Sequence, residues 1–453
     1  MRAWNPDRIA HAAGARLLAP PHTALGPERV VIDSRDAGPG TLFVGLPGAS
    51  VDGGRFAPEA LAAGAWGVLT TPRLAEEAAT PAAPSVVLAA EQPLKALQRL
   101  ATAWRRELDA QVIGVTGSTG KTSTKDLLLA VLAPHRRTVA SRANFNTEIG
   151  LPLEILDASP GTEVLVLEMG MRGSGQIAEL AAIAEPDVAV IVSIGPVHLE
   201  LLGTVQAIAE AKAELIAALK PHGTAVIPAA EPLLGPHLRD DVETITFGDG
   251  GDVQLRRAGE RDVEIDASGR TITLEVPFTQ AHLRANLLAA VAAAGAVGVT
   301  PSGRVEFALG AGRGRRVTLG GGVTLIDDCY NANPMSMRAA LDDLAATAAR
   351  GEHARRVAVL GDMLELGPAE REFHVEIGRY ASDLGVDALV AVGPLAAAMA
   401  DGFGGDVHPI ADATQAAALV PELLAPGDTV LVKASRGVGL ELVCQALSGG
   451  ERE

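Results

Sequence analysis

A glycine-rich loop that ends in a lysine and a threonine is the part of the sequence that points most directly to chemistry. Residues 114–122 read Gly-Val-Thr-Gly-Ser-Thr-Gly-Lys-Thr, between an apolar run at 112–115 and a helix-like run that ends at Leu132. In this setting, backbone N–H groups and a helix N-terminus can surround phosphate groups. Lys121 would neutralise the β- and γ-phosphates, and the Thr122 hydroxyl would help to hold Mg²⁺.

This phosphate loop (residues 114–122) departs by one position from the strict pattern G-x-x-x-x-G-K-[ST], because Val115 stands where the first glycine is expected. A tight turn with an exposed lysine is the alternative, but the strand–loop–helix setting favours a nucleotide site. We therefore predict that a nucleotide is bound by the following residues: Gly117, Ser118, Thr119, Gly120, Lys121, Thr122 and Ser123.

The elements that must position this loop are read from continuous apolar runs. Such runs occur at 164–167, 188–192, 357–360, 388–392 and 429–432, and helix-like Ala/Leu-rich segments lie between them. Uninterrupted apolar strands are typical of parallel sheets that are covered by helices on both faces. We expect an α/β protein with at least two sheets. The length of 453 residues suggests about three domains, with junctions near residue 90, after the Ala/Pro/Glu-rich stretch 74–84, and near residue 313.

Composition excludes several classes of partner. The formal net charge is −17, which argues against a general nucleic-acid surface and against binding to an anionic membrane. The longest apolar stretches have about the length of a strand, far short of a membrane span. The two cysteines, Cys329 and Cys444, are too few for a disulfide framework, and the first residues lack a signal-peptide pattern. We expect a cytoplasmic protein without membrane insertion.

The whole chain resembles the Mur ligases, which build the peptide of bacterial peptidoglycan precursors. The phosphate loop matches their variant G-x-T-G-x-x-G-K-T, and residues 31–36 and 39–44 are similar to their uridine-nucleotide signature. Central motifs follow in order at 144–152, 168–170, 195–200 and 211–214. Residues 327–337, 360–367 and 433–437 are similar to the branch of the family that adds D-alanyl-D-alanine.

The resemblance implies an architecture of three α/β domains. Residues 1–90 would form a small domain that binds the UDP-muramoyl-peptide, and residues 91–313 a central P-loop ATPase-like domain with a mostly parallel sheet. Residues 314–453 would form a Rossmann-like C-terminal domain that binds D-Ala-D-Ala and closes over the site. The implied protein is a monomer.

The implied reaction joins the carboxylate of UDP-N-acetylmuramoyl-tripeptide to the amine of D-Ala-D-Ala, with ATP and two Mg²⁺ ions. Lys121, Glu168, His198 and Lys212 are the expected catalytic residues, and Thr122 joins the last three as metal ligands. Lys212 matches a family lysine that can be carbamylated, which would turn its ammonium into a carboxylate-like ligand. An ordinary helix-surface lysine paired with Glu210 or Glu214 is the alternative. His198 as a structural histidine is the other alternative.

Further contacts are implied by matching motifs. For ATP these are Asn286, Arg313, Asp328 and Asn331; for the other substrates they are Ser34, Arg35, Asn144, Asn146, Thr147, Asn333, Lys433, Ser435 and Arg436. The asparagines near Pro334 could instead cap a helix, and Arg35 could pair with Asp33 or Asp36. Asp362 and Glu365 could steer the dipeptide's ammonium or cap a helix.

Three departures from the family pattern are visible. Cys329 stands where serine is usual and Ala213 where glycine is common, and the segment around His282 lacks the family's G-x-H-N pattern although Asn286 is retained.

Two rival functions are weaker. One is a sister ligase that adds a single amino acid, or a folylpolyglutamate-type ligase; residues 327–334 argue against both. The other is a P-loop binding module without ligase chemistry, in which Glu168, His198 and Lys212 would share no purpose.

Overall fold

Three sheets form the framework of the computed structural model, which describes residues 1, 3–19, 25–79, 85–142, 144–347 and 355–449. Helices connect most of the parallel strands, so the α/β prediction is confirmed. Residues 80–84 of the predicted junction stretch 74–84 lie outside the described part of the chain.

The N-terminal sheet has the strand order β1-β5-β4-β3-β2, in which β1 alone runs antiparallel to its neighbour. Its strands are β1 (Arg16–Ala19), β2 (Arg29–Val31), β3 (Thr41–Val44), β4 (Gly67–Thr70) and β5 (Val86–Ala89). The accompanying helices are α1 (Pro6–Ala13), α2 (Ala57–Ala62) and α3 (Pro72–Ala78), and α4 (Pro93–Leu108) follows the sheet. Leu42, Leu88 and Trp104 share one apolar cluster with the central sheet, which holds the two units together.

The central sheet has the order β15-β14-β13-β12-β11-β10-β9-β6-β8-β7. Its strands are β6 (Gln111–Thr116), β7 (Thr138–Ala140), β8 (Val164–Glu168), β9 (Val188–Ile191), β10 (Thr224–Pro228), β11 (Glu243–Phe247), β12 (Val253–Ala258), β13 (Asp262–Ala267), β14 (Arg270–Glu275) and β15 (Gly303–Arg304). Its helices are α5 (Lys121–Leu132), α6 (Gly150–Asp157), α7 (Gln176–Ala184), α8 (Leu199–Leu202), α9 (Val205–Ala217) and α10 (Ala281–Ala296). The apolar runs predicted at 112–115, 164–167 and 188–192 form the parallel strands β6, β8 and β9. The antiparallel strands β12 to β14 were not predicted, because their alternating residues leave one face partly in solvent.

The C-terminal sheet has the order β16-β17-β21-β18-β19-β20, parallel except for β16 at its edge. Its strands are β16 (Arg315–Thr318), β17 (Thr324–Asp327), β18 (Arg356–Gly361), β19 (Ala388–Val392), β20 (Asp406–Ile410) and β21 (Thr429–Lys433). Its helices are α11 (Pro334–Ala346), α12 (Glu370–Asp383), α13 (Ala413–Leu423) and α14 (Glu441–Leu447). The strands β17, β18, β19 and β21 are almost entirely buried, as expected for a sheet covered on both faces.

The arrangement places the predicted chemistry at carboxyl ends of parallel strands. The phosphate loop follows β6, Glu168 ends β8, and the segment with His198 follows β9, all three in adjacent strands. Ligands of open α/β sheets bind at this edge. Within the described ranges, no helix has both the length and the apolarity required to cross a membrane.

Candidate functional site

The turn of the phosphate loop depends on a glycine that nothing else could replace without strain. Gly120 has φ +79°, and a Cβ built on it would lie 2.6 Å from Oδ1 of Asn286. The left-handed backbone and the close approach together require glycine. The structure therefore brings Asn286 of α10 directly beside the start of α5, as the sequence predicted for two parts of one nucleotide site.

The phosphate loop is joined to the segment after β9 by hydrogen bonds. Ser118 Oγ donates to the carbonyl of Gly195 (3.0 Å) and accepts from its N–H (2.9 Å). The N–H of Thr119 donates to Ser193 Oγ over 2.9 Å. Ser118 is buried, so its hydroxyl braces the loop. Ser123, at the start of α5, is partly exposed.

Lys121 lies across the mouth of the loop, where its Nζ donates to the carbonyl of Gly117 over 2.8 Å. Burial lowers the pKa of Lys121; the negative charge of Glu168 opposes this shift, and the positive charge of Arg313 adds to it. The charge of Arg313 thus reaches the loop from the junction between the central and C-terminal regions. An ammonium held in this position can neutralise phosphate oxygens.

Glu168 is the centre of an oxygen-rich cluster. Its carboxylate accepts one hydrogen bond from Thr122 Oγ1 and one from Asn146 Nδ2, each over 2.8 Å. Only 3% of Glu168 is exposed. Behind it, the buried Lys125 Nζ donates to the carbonyl of Ser141 (2.7 Å), and Ser141 Oγ accepts from the N–H of Glu168 (2.9 Å). Hydroxyl and carboxylate oxygens beside a phosphate loop are the donor set that Mg²⁺ prefers, so these residues fit the ion.

His198 immediately precedes α8, has a left-handed backbone (φ +53°) and bonds through Nδ1 to the carboxylate of Glu365. Burial lowers the pKa of His198 and the bond to Glu365 raises it, while the charges of Lys121 and Lys212 lower it further. The two lysines therefore lie close enough to act on the imidazole. The bond to Glu365 also agrees with the alternative of a satisfied structural histidine, so the contact alone does not decide between the two roles.

Lys212 on α9 is almost completely buried, at 2% exposure. Within the described part of the chain, its amine has no hydrogen-bond or ion-pair partner. Glu214 is engaged elsewhere, since its carboxylate accepts from the N–H groups of Gly175 (2.6 Å) and Ala178 (2.9 Å) at the start of α7. Burial, and then the positive charge of Lys121, hold the pKa of Lys212 well below its ordinary value. The alternative of a solvated surface lysine is therefore wrong.

The C-terminal side of the site is built from paired groups. Lys433 Nζ donates to Asp328 Oδ2 (2.7 Å) and to the carbonyl of Asn331 (2.8 Å). Burial raises the pKa of Asp328, and Lys433 opposes that shift. The guanidinium groups of Arg313 and Arg436 lie 4.0 Å and 5.4 Å from the centre of the Tyr330 ring.

Several other predicted groups on this side are used for local structure. Asn333 caps α11, because its Oδ1 accepts from the N–H of Ser336 over 3.0 Å in a reciprocal capping box. Ser435 Oγ accepts from the N–H of Leu364 over 3.0 Å. Asp362 Oδ1 accepts from the N–H groups of Leu395 and Ala396, so its carboxylate fixes a turn. For Asn333 the capping alternative holds, whereas Asp362 is buried and is not a surface helix cap.

The substrate contacts predicted in the N-terminal and central regions lie in exposed loops. Arg35 pairs with the carboxylate of Asp33, which is one of the two pairings that the sequence offered as an alternative to substrate binding. Ser34 lies in the same short turn. Asn144 and Thr147 are exposed in the loop before α6. Asn146 reaches the phosphate-loop side through Glu168. No hydrogen bond within the described ranges connects Arg35 with the phosphate-loop groups.

Sequence reasoning missed the contact between Glu365 and His198, and it missed the brace formed by Lys125 and Ser141. Glu365 had been considered only as a dipeptide-steering or capping residue. The contact joins residues 167 positions apart, so no local pattern could reveal it. The brace had one signal in the sequence, a second lysine (Lys125) one turn after Lys121 on the same helix.

Known proteins resemble this chain over its whole described framework. The Mur ligase family profile for the catalytic domain matches residues 28–105, that for the middle domain 115–294, and that for the glutamate ligase domain 312–436. The UDP-N-acetylmuramoyl-tripeptide–D-alanyl-D-alanine ligase of Synechocystis is 40% identical over 92% of this chain and 91% of its own. The Bacillus subtilis protein of the same name is 36% identical over 97% of each chain.

Solved structures give the same result. The crystal structure of MurF from Acinetobacter baumannii superimposes with a TM-score of 0.86 at 28% identity, covering 98% of this chain and 99% of that one. MurF ligase from Thermotoga maritima in complex with ADP has a TM-score of 0.81 at 30% identity, with 93% and 97% covered. With this coverage and identity, the chain belongs to the Mur ligase family.

Proposed function

We propose that this protein is an ATP-dependent ligase that joins D-alanyl-D-alanine to UDP-N-acetylmuramoyl-tripeptide in the cytoplasmic stage of bacterial peptidoglycan synthesis. The observation that carries the choice of acceptor is the identity, 40% and 36%, with two whole-length relatives that bear this activity in their names. The site supports it, because groups from the central and C-terminal sheets meet around one phosphate loop. We propose that the protein acts as a monomer.

We propose the domain limits already expected from the sequence, which are 1–90, 91–313 and 314–453. The N-terminal sheet ends at Ala89 and the C-terminal sheet begins at Arg315, which supports these limits. The first domain would bind the uridine nucleotide, the second ATP, and the third the dipeptide.

The chemical difficulty is that a carboxylate is a poor acyl donor. A carboxylate oxygen of the tripeptide attacks the γ-phosphorus of ATP, ADP leaves, and an acyl phosphate results. The dipeptide amine then attacks the acyl carbon, and a tetrahedral intermediate expels phosphate. The first step brings two anions together, so most of the catalysis is positioning and charge neutralisation.

Lys121 is proposed to hold the β- and γ-phosphates, with backbone donors from Gly117, Ser118, Thr119 and Gly120. Thr122 and Glu168 would hold one Mg²⁺ and His198 a second one, and these ions would supply charge neutralisation at the transferred phosphoryl group. Asn286, Arg313, Asp328 and Asn331 would contact the rest of the nucleotide. Arg313, stacked on Tyr330, brings a second positive charge toward Lys121 from the junction between the central and C-terminal domains.

Lys212 is proposed to be carbamylated, because its amine is buried, unpaired within the described ranges and depressed in pKa. A neutral amine adds to CO₂, with release of one proton, to give a carbamate. The carbamate would serve, together with His198, as a ligand for a second Mg²⁺, since the charge of Lys212 already acts on His198.

A lysine variant tests the carbamate. Lys212→Ala is expected to lose most ligase activity and to recover part of it with added short carboxylates. Lys220→Ala, an exposed lysine just beyond the same helix, is the matched control. Full activity of Lys212→Ala would contradict the role.

The remaining predicted residues are proposed as substrate contacts. Ser34 and Arg35 would hold the uridine diphosphate, and Asn144, Asn146 and Thr147 the muramoyl part. Lys433, Ser435, Arg436 and Asn333 would lie near the tripeptide end or the dipeptide.

The direct test is ADP release in a coupled assay with UDP-N-acetylmuramoyl-tripeptide and one acceptor at a time. D-Ala-D-Ala should support turnover, whereas L-lysine and diaminopimelate should not. Turnover with a single amino acid would favour a sister ligase, and absence of ADP release with every acceptor would favour a binding module.

A further inference from the structure

One side-chain contact joins the central and C-terminal regions at the candidate metal site. Glu365 lies in the loop after β18, and its carboxylate bonds to Nδ1 of His198, which follows β9. Both side chains are about two-thirds shielded from solvent, at 36% and 27% exposure. The second Glu365 oxygen lies 3.8 Å from Nε of Arg172, so the carboxylate sits between two central-region groups.

The backbone on both sides of this contact is held in an uncommon conformation. His198 (φ +53°) and Glu365 (φ +65°) are two of the six non-glycine residues with positive φ in the described part of the chain. Such a conformation costs on the order of 1 kcal/mol or more and persists only where the surroundings impose it. Finding it at both partners of one contact indicates that the two loops are shaped for each other.

Backbone contacts also join the segment that carries His198 to the loop that carries Glu365. The N–H of Glu200 donates to the carbonyl of Glu365 over 3.2 Å. Gly367 (φ +67°) approaches so closely that an added Cβ would lie 3.3 Å from Cα of Glu200. Gly195 is covered by Met335 from the start of α11, and an added Cβ there would overlap the Met335 sulfur. The loop of Glu365 therefore seats on the segment that carries His198.

We propose that Glu365 is a positioning residue: when the C-terminal region seats, its carboxylate accepts the Nδ1 proton of His198, fixes the ring, and leaves the Nε2 lone pair free for a metal ion. Histidine ligands of metals commonly have such a carboxylate on the other ring nitrogen. Here the carboxylate comes from a different sheet than the histidine. Seating of the C-terminal region would therefore complete the metal site, which links closure to catalysis. The statement that His198 binds a metal ion rests on the proposed function. The contact between Glu365 and His198, called the bridge below, does not.

The first experiment needs neither metal nor substrate. At pH 8, where a free imidazole is neutral, ¹⁵N spectra of the histidine rings report which nitrogen carries the proton, and His198→Gln identifies the His198 signals. Wild type should show the Nδ1–H form, and Glu365→Ala should change to the Nε2–H form that predominates in water. Glu365→Gln keeps an acceptor oxygen and should keep Nδ1–H. An Nε2–H form in wild type, or an unchanged Nδ1–H form in Glu365→Ala, would overturn the proposal.

The second experiment measures Mn²⁺ binding by electron paramagnetic resonance in the presence of a non-hydrolysable ATP analogue. Glu365→Ala should bind the second ion about 10- to 100-fold more weakly, and Glu365→Gln should recover most of the loss. Glu372→Gln, an exposed glutamate of the same region, should match wild type. Equal affinity in Glu365→Ala and wild type would overturn the positioning role.

Ligase turnover of the wild type separates this inference from the proposed function. If the wild type makes no product while the proton positions behave as expected, the proposed function fails and the bridge stands. If it makes product while Glu365→Ala leaves proton position and Mn²⁺ affinity unchanged, the bridge fails and the function stands.

Discussion

The lysines on the two sides of the candidate nucleotide site differ in whether they have a charged partner. On the central side, the charge of Lys121 adds to burial in lowering the pKa of Lys212, and neither lysine has an ion-pair partner within the described residues. On the C-terminal side, Lys433 is buried against Asp328 and the carbonyl of Asn331. A buried unpaired amine is costly, whereas a paired one is supported by its neighbours.

This difference teaches what each side contributes. The central side holds two amines that have no ion-pair partner within the described residues, so it is organised for ligands at the expense of stability. The C-terminal side is complete before any ligand binds and acts as a preformed lobe. Changes on the central side should therefore affect activity far more than stability, and changes on the C-terminal side should affect both.

The largest effect is expected for Lys121→Ala. Loss of the cation at the γ-phosphate should lower kcat for ligation by about 10³-fold, on the scale of lost transition-state charge stabilisation. The Tm should stay the same or rise, because a buried amine without a counterion is removed. Steady-state kinetics and thermal unfolding of one preparation check both. A Tm that falls by many degrees would contradict the claim that changes on the central side affect activity far more than stability.

A stability effect is expected for Lys433→Ala. Asp328 would be left buried without its partner, which should destabilise the C-terminal region by about 3–5 kcal/mol. Hydrogen exchange of β17 and β21 measures this locally, and β6 to β9 should stay protected. The double variant Lys433→Met/Asp328→Asn should regain much of the loss. Equal exchange in Lys433→Ala and wild type would show that the pair is not a structural support.

Much of the fold could be predicted because buried parallel strands can be recognised in the sequence as continuous apolar runs. The phosphate loop, Glu168 and the segment of His198 could be assigned to one edge for the same reason, since each follows such a run. The contact of His198 with Glu365 could not be predicted, because it depends on how two separate sheets pack. The burial of Lys212 was also hidden: helix α9 carries acidic neighbours, and only the packed structure shows that Glu214 caps α7 instead.

A pH-dependent effect sharpens the description of the C-terminal side. Burial raises the pKa of Asp428, but N–H donors of Ala425 and Arg355 and the Arg355 guanidinium outweigh it, so the net pKa lies below the ordinary value. Between the folded pKa and the ordinary pKa of Asp428, the unfolded state therefore binds more protons than the folded state. The stabilisation is therefore complete above the ordinary carboxyl pKa, about 4, and disappears as the pH falls through the lower folded value.

The expected result is that Asp428→Asn is less stable than wild type by about 1–2 kcal/mol at pH 7 and that the difference shrinks below pH 4. Urea unfolding at pH 7, 5 and 3 measures it. A difference that stays constant over this range would mean that the carboxylate charge of Asp428 contributes nothing.

The smallest effect is expected for Asn333, where capping and substrate contact are both proposed. Asn333→Ala should cost about 1 kcal/mol through loss of the cap of α11, and Asn333→Asp should not. If Asn333→Asp keeps stability but loses ligase activity, the amide also contacts a ligand. If it keeps both, the residue is a cap alone.

The central claim is that this site activates a carboxylate through ATP, and isotope transfer tests it most directly. UDP-N-acetylmuramoyl-tripeptide with both oxygens of its reacting carboxylate labelled with ¹⁸O is turned over with ATP and D-Ala-D-Ala, and the released phosphate is analysed by mass spectrometry. The account predicts one ¹⁸O atom in each phosphate and one in the new amide. Unlabelled phosphate, or label in AMP, would contradict it.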